Sequence, residues 1–139
     1  MEIINSIAHK TNVRVRYAET DGMGIVYNSN YLIYFEVGRV ELMRHYNLVY
    51  AELEKAGYHM PLIESHIEYK QPAKYDDLLT IKTIGFFISP LKFKFEYEII
   101  LDDIVLTKGY TIHIFLDQST SKPVKPPRIF LNGWEKVII

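Results

Sequence analysis

Two hydrophobic periods divide the chain. Across residues 30–46 the apolar positions follow no two-residue alternation. Tyr31, Leu32, Ile33, Tyr34, Phe35 and Val37 fill the first two turns of a helix almost all the way round, and only Gly38 is a poor helix former. A helix apolar on every side is a buried one, and at about 1.5 Å per residue it is roughly 25 Å long, the span of a small domain. After residue 62 the period changes to two. Ile63, Ile67 and Tyr69 alternate with Glu64, His66, Glu68 and Lys70, a strand that Pro72 stops; residues 79–87 form another, and Ser89-Pro90 marks a turn. Residues 91–101 carry the cleanest pattern, with Leu91, Phe93, Phe95, Tyr97, Ile99 and Leu101 on one face and Lys92, Lys94, Glu96 and Glu98 on the other. Asp102-Asp103 then turns the chain into a long alternating run over residues 104–116, where Gly109 marks a bulge or a close helix contact.

Ahead of the helix, Val13, Val15 and Tyr17 alternate with Arg14 and Arg16, which predicts a half-buried first strand over residues 12–17. Residues 17–28 are turn-rich, and Asn28-Ser29 are residue types that cap helix N-termini. Residues 47–57 predict a second short helix, or a bent extension of the first, ending at Gly57 with Pro61 beyond. The tail from Asp117, with three prolines and three basic residues before Ile129, is expected to leave the sheet. Short connections between long strands imply an antiparallel meander, so the expected class is α+β, a sheet wrapped around one long helix.

Composition narrows the functions. A chain of 139 residues is one domain by the usual prior, and 48% apolar with 24% charged residues is ordinary for a globular protein. A net charge of −1 supplies no basic field, so nucleic acid is not an expected partner. With no cysteine there is no thiolate nucleophile, disulfide framework or Cys-based metal site. The stretch MEIINSIAHK has no apolar leader region, and no run reaches the roughly 18 apolar residues of a membrane span, so the expected location is the cytoplasm. Eleven Tyr and seven Phe are many for this length and point to a thick sheet surface or a large apolar interface.

The candidate chemistry gathers before the central helix. Asp21 lies beside two glycines, and Asp-Gly alone reads as a turn; yet its carboxylate also sits just ahead of a helix N-terminus, where free N–H groups and the macrodipole favour developing negative charge. Glu36 and Arg39, three apart, read as an intrahelical ion pair. Glu64, His66 and Glu68 share a strand face and read as solvated rather than as metal ligands, since no second cluster completes a site. There is no G-x-S-x-G elbow, no P-loop and no complete dinucleotide fingerprint. No metal or cofactor is expected.

The run YAETDGMGIVYNSNYLIYFEVGRVE resembles the signature of hot-dog-fold acyl-CoA thioesterases of the 4-hydroxybenzoyl-CoA thioesterase type, including those associated with the Tol-Pal cluster, and the likeness covers roughly the whole chain. The resemblance implies a hot-dog fold, hydrolysis of an acyl-CoA thioester, Asp21 as the catalytic carboxylate (general base or nucleophile), and the backbone N–H of Asn28 as the group that polarises the thioester carbonyl. Many Tol-Pal members carry His where this chain has Asn28. Tyr27 and Tyr31 would flank the substrate, and Lys92, Lys122, Lys125 and Arg128 are the candidates for the coenzyme A phosphates. The F-E-x-x-R pattern makes Glu36 and Arg39 a buried structural pair with a secondary role at the site. Family members pair sheet edges into dimers with active sites between subunits, so a homodimer or homotetramer is expected. The alternatives are a hot-dog dehydratase or hydratase, which resembles a different pattern with a nearby His that residues 11–44 lack, and a non-catalytic acyl-binding or assembly module.

Overall fold

The alternating runs become neighbouring strands of one antiparallel sheet, and the apolar helix lies across its inner face. The computed structural model describes residues 5–138; residues 1–4, part of the stretch read as lacking a leader, and residue 139 lie outside that range. In chain order the elements are β1 (Ile7–Arg14), a 3-10 turn (Tyr17–Glu19), α1 (Asn30–His45), α2 (Tyr50–Lys55), β2 (Tyr58–His59), β3 (Leu62–Tyr69), β4 (Leu78–Ser89), β5 (Lys92–Leu101), β6 (Ile104–His113), β7 (Phe115–Asp117), β8 (Pro123–Val124) and α3 (Arg128–Val137). The main sheet runs β1-β4-β5-β6-β3, and β2-β7-β8 form a small second one. Among the described residues no helix is long and apolar enough to cross a membrane.

The β4-β5-β6 meander follows the pattern. Phe87 faces Phe93, Gly85 faces Phe95, and across the next pair Phe93 faces His113, Phe95 faces Thr111 and Tyr97 faces Gly109. These inward positions carry the core: Leu79, Ile81, Phe93, Phe95, Tyr97 and Ile99 are all buried. Asp102 and Asp103 both take positive φ, as the tight turn between two antiparallel strands requires. Gly109 is the close contact anticipated rather than a bulge. A Cβ there would collide with the His66 carbonyl and sit 2.6 Å from the Phe35 ring, which itself stacks on Tyr97 at 4.2 Å.

Two expectations need correcting, and two are refined. The first strand starts at Ile7 and ends at Arg14, because its inward positions include His9 and Thr11, which give no apolar signal; Tyr17 sits in the 3-10 turn, 77% exposed. The central helix buries one stripe, Tyr31, Tyr34, Phe35, Gly38, Leu42 and Met43, and leaves Leu32 and Ile33 exposed. The strand read after residue 62 lies at the rim: β3 is bonded to β6 alone, forms the outer edge of the sheet and is largely exposed, with Leu62, Ile63 and Tyr69 in the open. The tail does leave the main sheet, but it pairs β8 with β7 and then folds into α3, where Phe130 and Trp134, one turn apart, pack on Phe87 and Phe93.

Candidate active site

The chain leaving β1 makes the 3-10 turn and enters a tight hairpin. Thr20 bridges Val26, the Asp21 N–H donates to the Ile25 carbonyl at 2.8 Å, and Gly24 takes φ +79°, a conformation open to a residue without Cβ. The Val26 N–H donates to Ala73 and Ile25 bridges Lys74, so the hairpin is stitched to the loop after β3. Within it Asp21 takes the Met23 N–H on Oδ1 at 2.7 Å. The turn role leaves room for a chemical one: Oδ1 orients the carboxylate, and among the described residues the other oxygen meets no protein donor.

At the helix start the expected side-chain cap is absent. Ser29 occupies the N-cap position in helical geometry without a capping bond, and the first turn is closed by main chain instead: the Asn30 N–H donates to the Tyr27 carbonyl at 2.9 Å and the Tyr31 N–H to that of Asn28 at 3.4 Å. Among the described residues the N–H groups of Asn28 and Ser29 meet no acceptor. Two adjacent uncommitted donors at the positive end of a helix form an anion site.

Asp21, Tyr27, Asn28 and Tyr31 line one groove of about 430 Å³, together with Tyr69, Lys70 and Pro72. Tyr31 forms its buried wall, its hydroxyl accepting the Ala73 N–H and its ring edge-on to Tyr69; Tyr27 stands exposed at the rim. The four basic candidates lie outside this groove within one chain. Lys92 begins β5, Lys122 and Lys125 flank β8, and Arg128 opens α3, where Asn132 and Glu135 already hold its guanidinium. Glu64, His66 and Glu68 stand on the exposed edge strand, with Tyr110 donating to Glu64 and stacking on His66.

Sequence reasoning missed two buried groups. Glu19 is 8% exposed, and its carboxylate takes the Arg16 N–H, the Arg16 guanidinium and the Tyr34 hydroxyl. Burial works to raise the Glu19 pKa, but the Arg16 N–H, the Tyr34 hydroxyl and the Arg16 side chain together hold it below the ordinary value, and burial followed by the Glu19 bond raises that of Tyr34. The spacing of three from Arg16 signals the ion pair, but the burial comes from Tyr34, fifteen residues on. The other group is His113. Its Nδ1 lies 3.0 Å from the Met60 carbonyl and its Nε2 2.8 Å from the Thr111 hydroxyl, which is 2.7 Å from that of Tyr97. A carbonyl only accepts, so Nδ1 carries the proton, Thr111 donates to Nε2 and Tyr97 donates to Thr111.

Arg39 and His113 also line a cavity of about 300 Å³ with Glu36, Met43, Tyr50 and Met60. The expected buried pair is thus only half buried. Arg39 points inward with 17% of its side chain exposed, whereas Glu36 is 64% exposed at 4.0 Å, because its position falls off the stripe that faces the sheet.

Burial pushes His113 down to about 4 from the ordinary 6.5. Its contribution to stability is therefore full above pH 6.5 and is lost as pH falls toward 4, because the unfolded chain takes up the proton first; the whole window is worth about 3 kcal/mol. Thermal melts between pH 7 and 4.5 should show this slope, and His113→Val should flatten it. Parallel profiles for the two proteins would exclude His113 as the cause.

Residues 15–133 match the model of the thioesterase-like superfamily. YneP of Bacillus subtilis (strain 168) is 35% identical over 122 residues, covering 87% of this chain and 88% of that protein. The acyl-CoA thioesterase YbgC of Haemophilus influenzae is 32% identical, covering 84% of this chain and 86% of YbgC. Among solved structures, the DHNA-CoA thioesterase from Staphylococcus aureus superposes with a TM-score of 0.87 at 32% identity, over 94% of this chain and 91% of that one.

Proposed function

Because the chain belongs to the thioesterase-like superfamily, we propose that Asp21 and the start of α1 hydrolyse an acyl-CoA thioester to the free acid and coenzyme A. The fold is the hot dog, and the protein is a thioester hydrolase. The observation that carries the assignment of residues is the groove in which one unengaged Asp21 oxygen and the uncommitted N–H of Asn28 share a surface. The thioester carbonyl rests against the Asn28 N–H, which stabilises the oxyanion of the tetrahedral intermediate. Asp21 either takes a proton from the attacking water and returns it to the leaving thiolate, or attacks the carbonyl itself to give a mixed anhydride that water then hydrolyses to the acid, with the thiolate protonated by solvent; in both routes the C–S bond breaks and coenzyme A leaves as the thiol. The finer placing in the 4-hydroxybenzoyl-CoA thioesterase type, with its Tol-Pal members, rests on the TDGMG and F-E-x-x-R runs; a cytoplasmic setting and a single catalytic domain belong to the same proposal.

Lys92, Lys122 and Lys125 have no ion pair among the described residues and are the exposed positions for the phosphates, whereas Arg128 is engaged within its own helix. Release of free thiol, measured over short, medium, long and aromatic acyl-CoAs, tests the activity and identifies the acyl group. No thiol release from any of them would overturn the hydrolytic reading in favour of a binding module.

The site is completed by a second copy. The open β3 edge, with Leu62, Ile63 and Tyr69 exposed on it and Leu32 and Ile33 exposed on α1, leaves apolar surface that water does not favour. Antiparallel pairing of β3 with its copy brings the Leu62 end of one strand to the Tyr69 end of the other, and so sets the Glu36–Arg39 cavity of one chain beside the Asp21 groove of its partner. Light scattering at micromolar concentration should return the mass of two or four chains. The mass of one chain would rule this arrangement out.

A further inference from the structure

We propose that Glu19 is the positioning residue of the site, fixing Asp21 and the Asn28 N–H relative to each other; the inference rests on the catalytic reading of those two groups. Glu19 is the point at which three segments meet. Its carboxylate binds the incoming chain, through the Arg16 N–H at 2.9 Å and the Arg16 guanidinium at 2.8 and 3.0 Å, and it binds α1 through the Tyr34 hydroxyl at 2.8 Å. Its main-chain carbonyl binds the outgoing chain, accepting the Tyr27 N–H at 2.9 Å and the Asn30 side-chain amide at 2.8 Å. The legs of the hairpin are therefore tied together at Glu19 and Tyr27. Asp21 lies two residues beyond one tie and Asn28 one residue beyond the other.

The same bonds explain why the donors of Asn28 and Ser29 remain available. The Tyr27 N–H before them is taken by Glu19, and the Asn30 N–H after them by Tyr27. Asn30 is anchored to Glu19 by its side chain and cannot turn back to cap the helix start. A carboxylate with four donors on two oxygens has no isosteric neutral substitute. An amide in its place must turn its NH₂ toward Arg16 or Tyr34, so one set of bonds becomes donor against donor. Tyr34 sits on the buried face of α1, one turn after Asn30, so its hydroxyl sets how deeply the loop lies against the helix.

A displacement of about 1 Å costs on the order of 100-fold in turnover, and a partial loosening correspondingly less. Glu19→Gln should lower kcat about tenfold and leave KM within about twofold, because the walls outside the loop, Tyr31, Tyr69 and Pro72, stay in place; Tyr34→Phe, which deletes one hydroxyl, should move kcat in the same direction by a smaller factor. Both are assayed well below their melting temperatures, so that loss of folded protein does not pass for loss of turnover. Amide hydrogen exchange supplies a readout that needs no substrate. The Tyr27 N–H should lose at least about tenfold in protection in both variants while the β4 and β5 amides keep theirs. Unchanged kcat in a folded Glu19→Gln protein, a rise in KM alone, or a Tyr27 amide as protected as in the wild type would overturn the proposal. Should Glu19→Gln fail to fold, Tyr34→Phe decides by the same two measurements. Should the wild type hydrolyse no thioester, the functional reading falls, and the exchange result still decides whether Glu19 fixes the loop.

Discussion

Asp21→Asn should lose thioester hydrolysis by a factor of about 10² to 10⁴ while melting close to the wild type. The substitution is nearly isosteric, and the amide oxygen can still accept the Met23 N–H that Asp21 Oδ1 holds at 2.7 Å. The main-chain bonds of the hairpin, from Asp21 to Ile25 and from Gly24 to Asp21, do not involve the side chain at all. What changes is the second oxygen, which becomes an NH₂ unable to take a proton or attack a carbonyl at neutral pH. A purely structural Asp21 would tolerate this exchange. Turnover of acyl-CoA within a few-fold of wild type would therefore remove Asp21 from the mechanism, whatever else the groove binds.

A second pair of substitutions separates the main chain of residue 28 from its side chain. Asn28→Pro deletes the N–H and should cost about 10² to 10³ in turnover, the usual consequence of losing one oxyanion donor. Asn28→Ala should be close to silent in both activity and melting, because among the described residues no side chain caps the helix start: the segment is closed by the Tyr27 and Asn28 carbonyls. Proline is tolerated at helix starts, though it biases Tyr27 toward extended geometry, so melts are needed for both variants. Equal losses in two folded proteins, or an active proline variant, would place the oxyanion donor elsewhere, with the neighbouring Ser29 N–H the first alternative.

How far the sequence could be read depended on whether a residue's type matched its surroundings. The β4-β5-β6 meander was legible because Phe93, Phe95, Tyr97 and Ile99 are apolar where the pleat turns inward, and the Asp21-to-Asn28 loop was legible because its turn residues stand in a recognisable run. The early half of β1 was not, since His9 and Thr11 occupy inward positions. Glu19 and His113 were hidden for the same reason. Each is a polar residue buried by partners far away in the sequence, Tyr34 for the one and Met60 for the other. Strict period-two counting from Phe115 back through His113, Thr111 and Gly109 would have pointed His113 inward despite its type. The helix α3 went unread because the proline-rich approach dominated the impression, while the Phe130 and Trp134 spacing that anchors it is only one turn long. The exposure of Leu32 and Ile33 was beyond any single-chain pattern, since an apolar residue looks the same whether it faces its own core or another molecule.

The contact between Phe35 and Gly109 sets something that hydrophobic burial alone would leave free. A helix resting on a sheet through a smooth apolar stripe can roll about its long axis at little cost, and each step of one residue along the stripe is a roll of about 100°. Here a ring occupies the one place in β6 where no Cβ stands, stacked on Tyr97 and hemmed by the His66 carbonyl, so the roll angle has a single value. Phe35 lies a little over one turn into the helix, close enough that its angle is also the angle of the first turn. The direction of the Asn28 and Ser29 donors is thus fixed from inside the core, by a glycine in the sheet on which the helix rests.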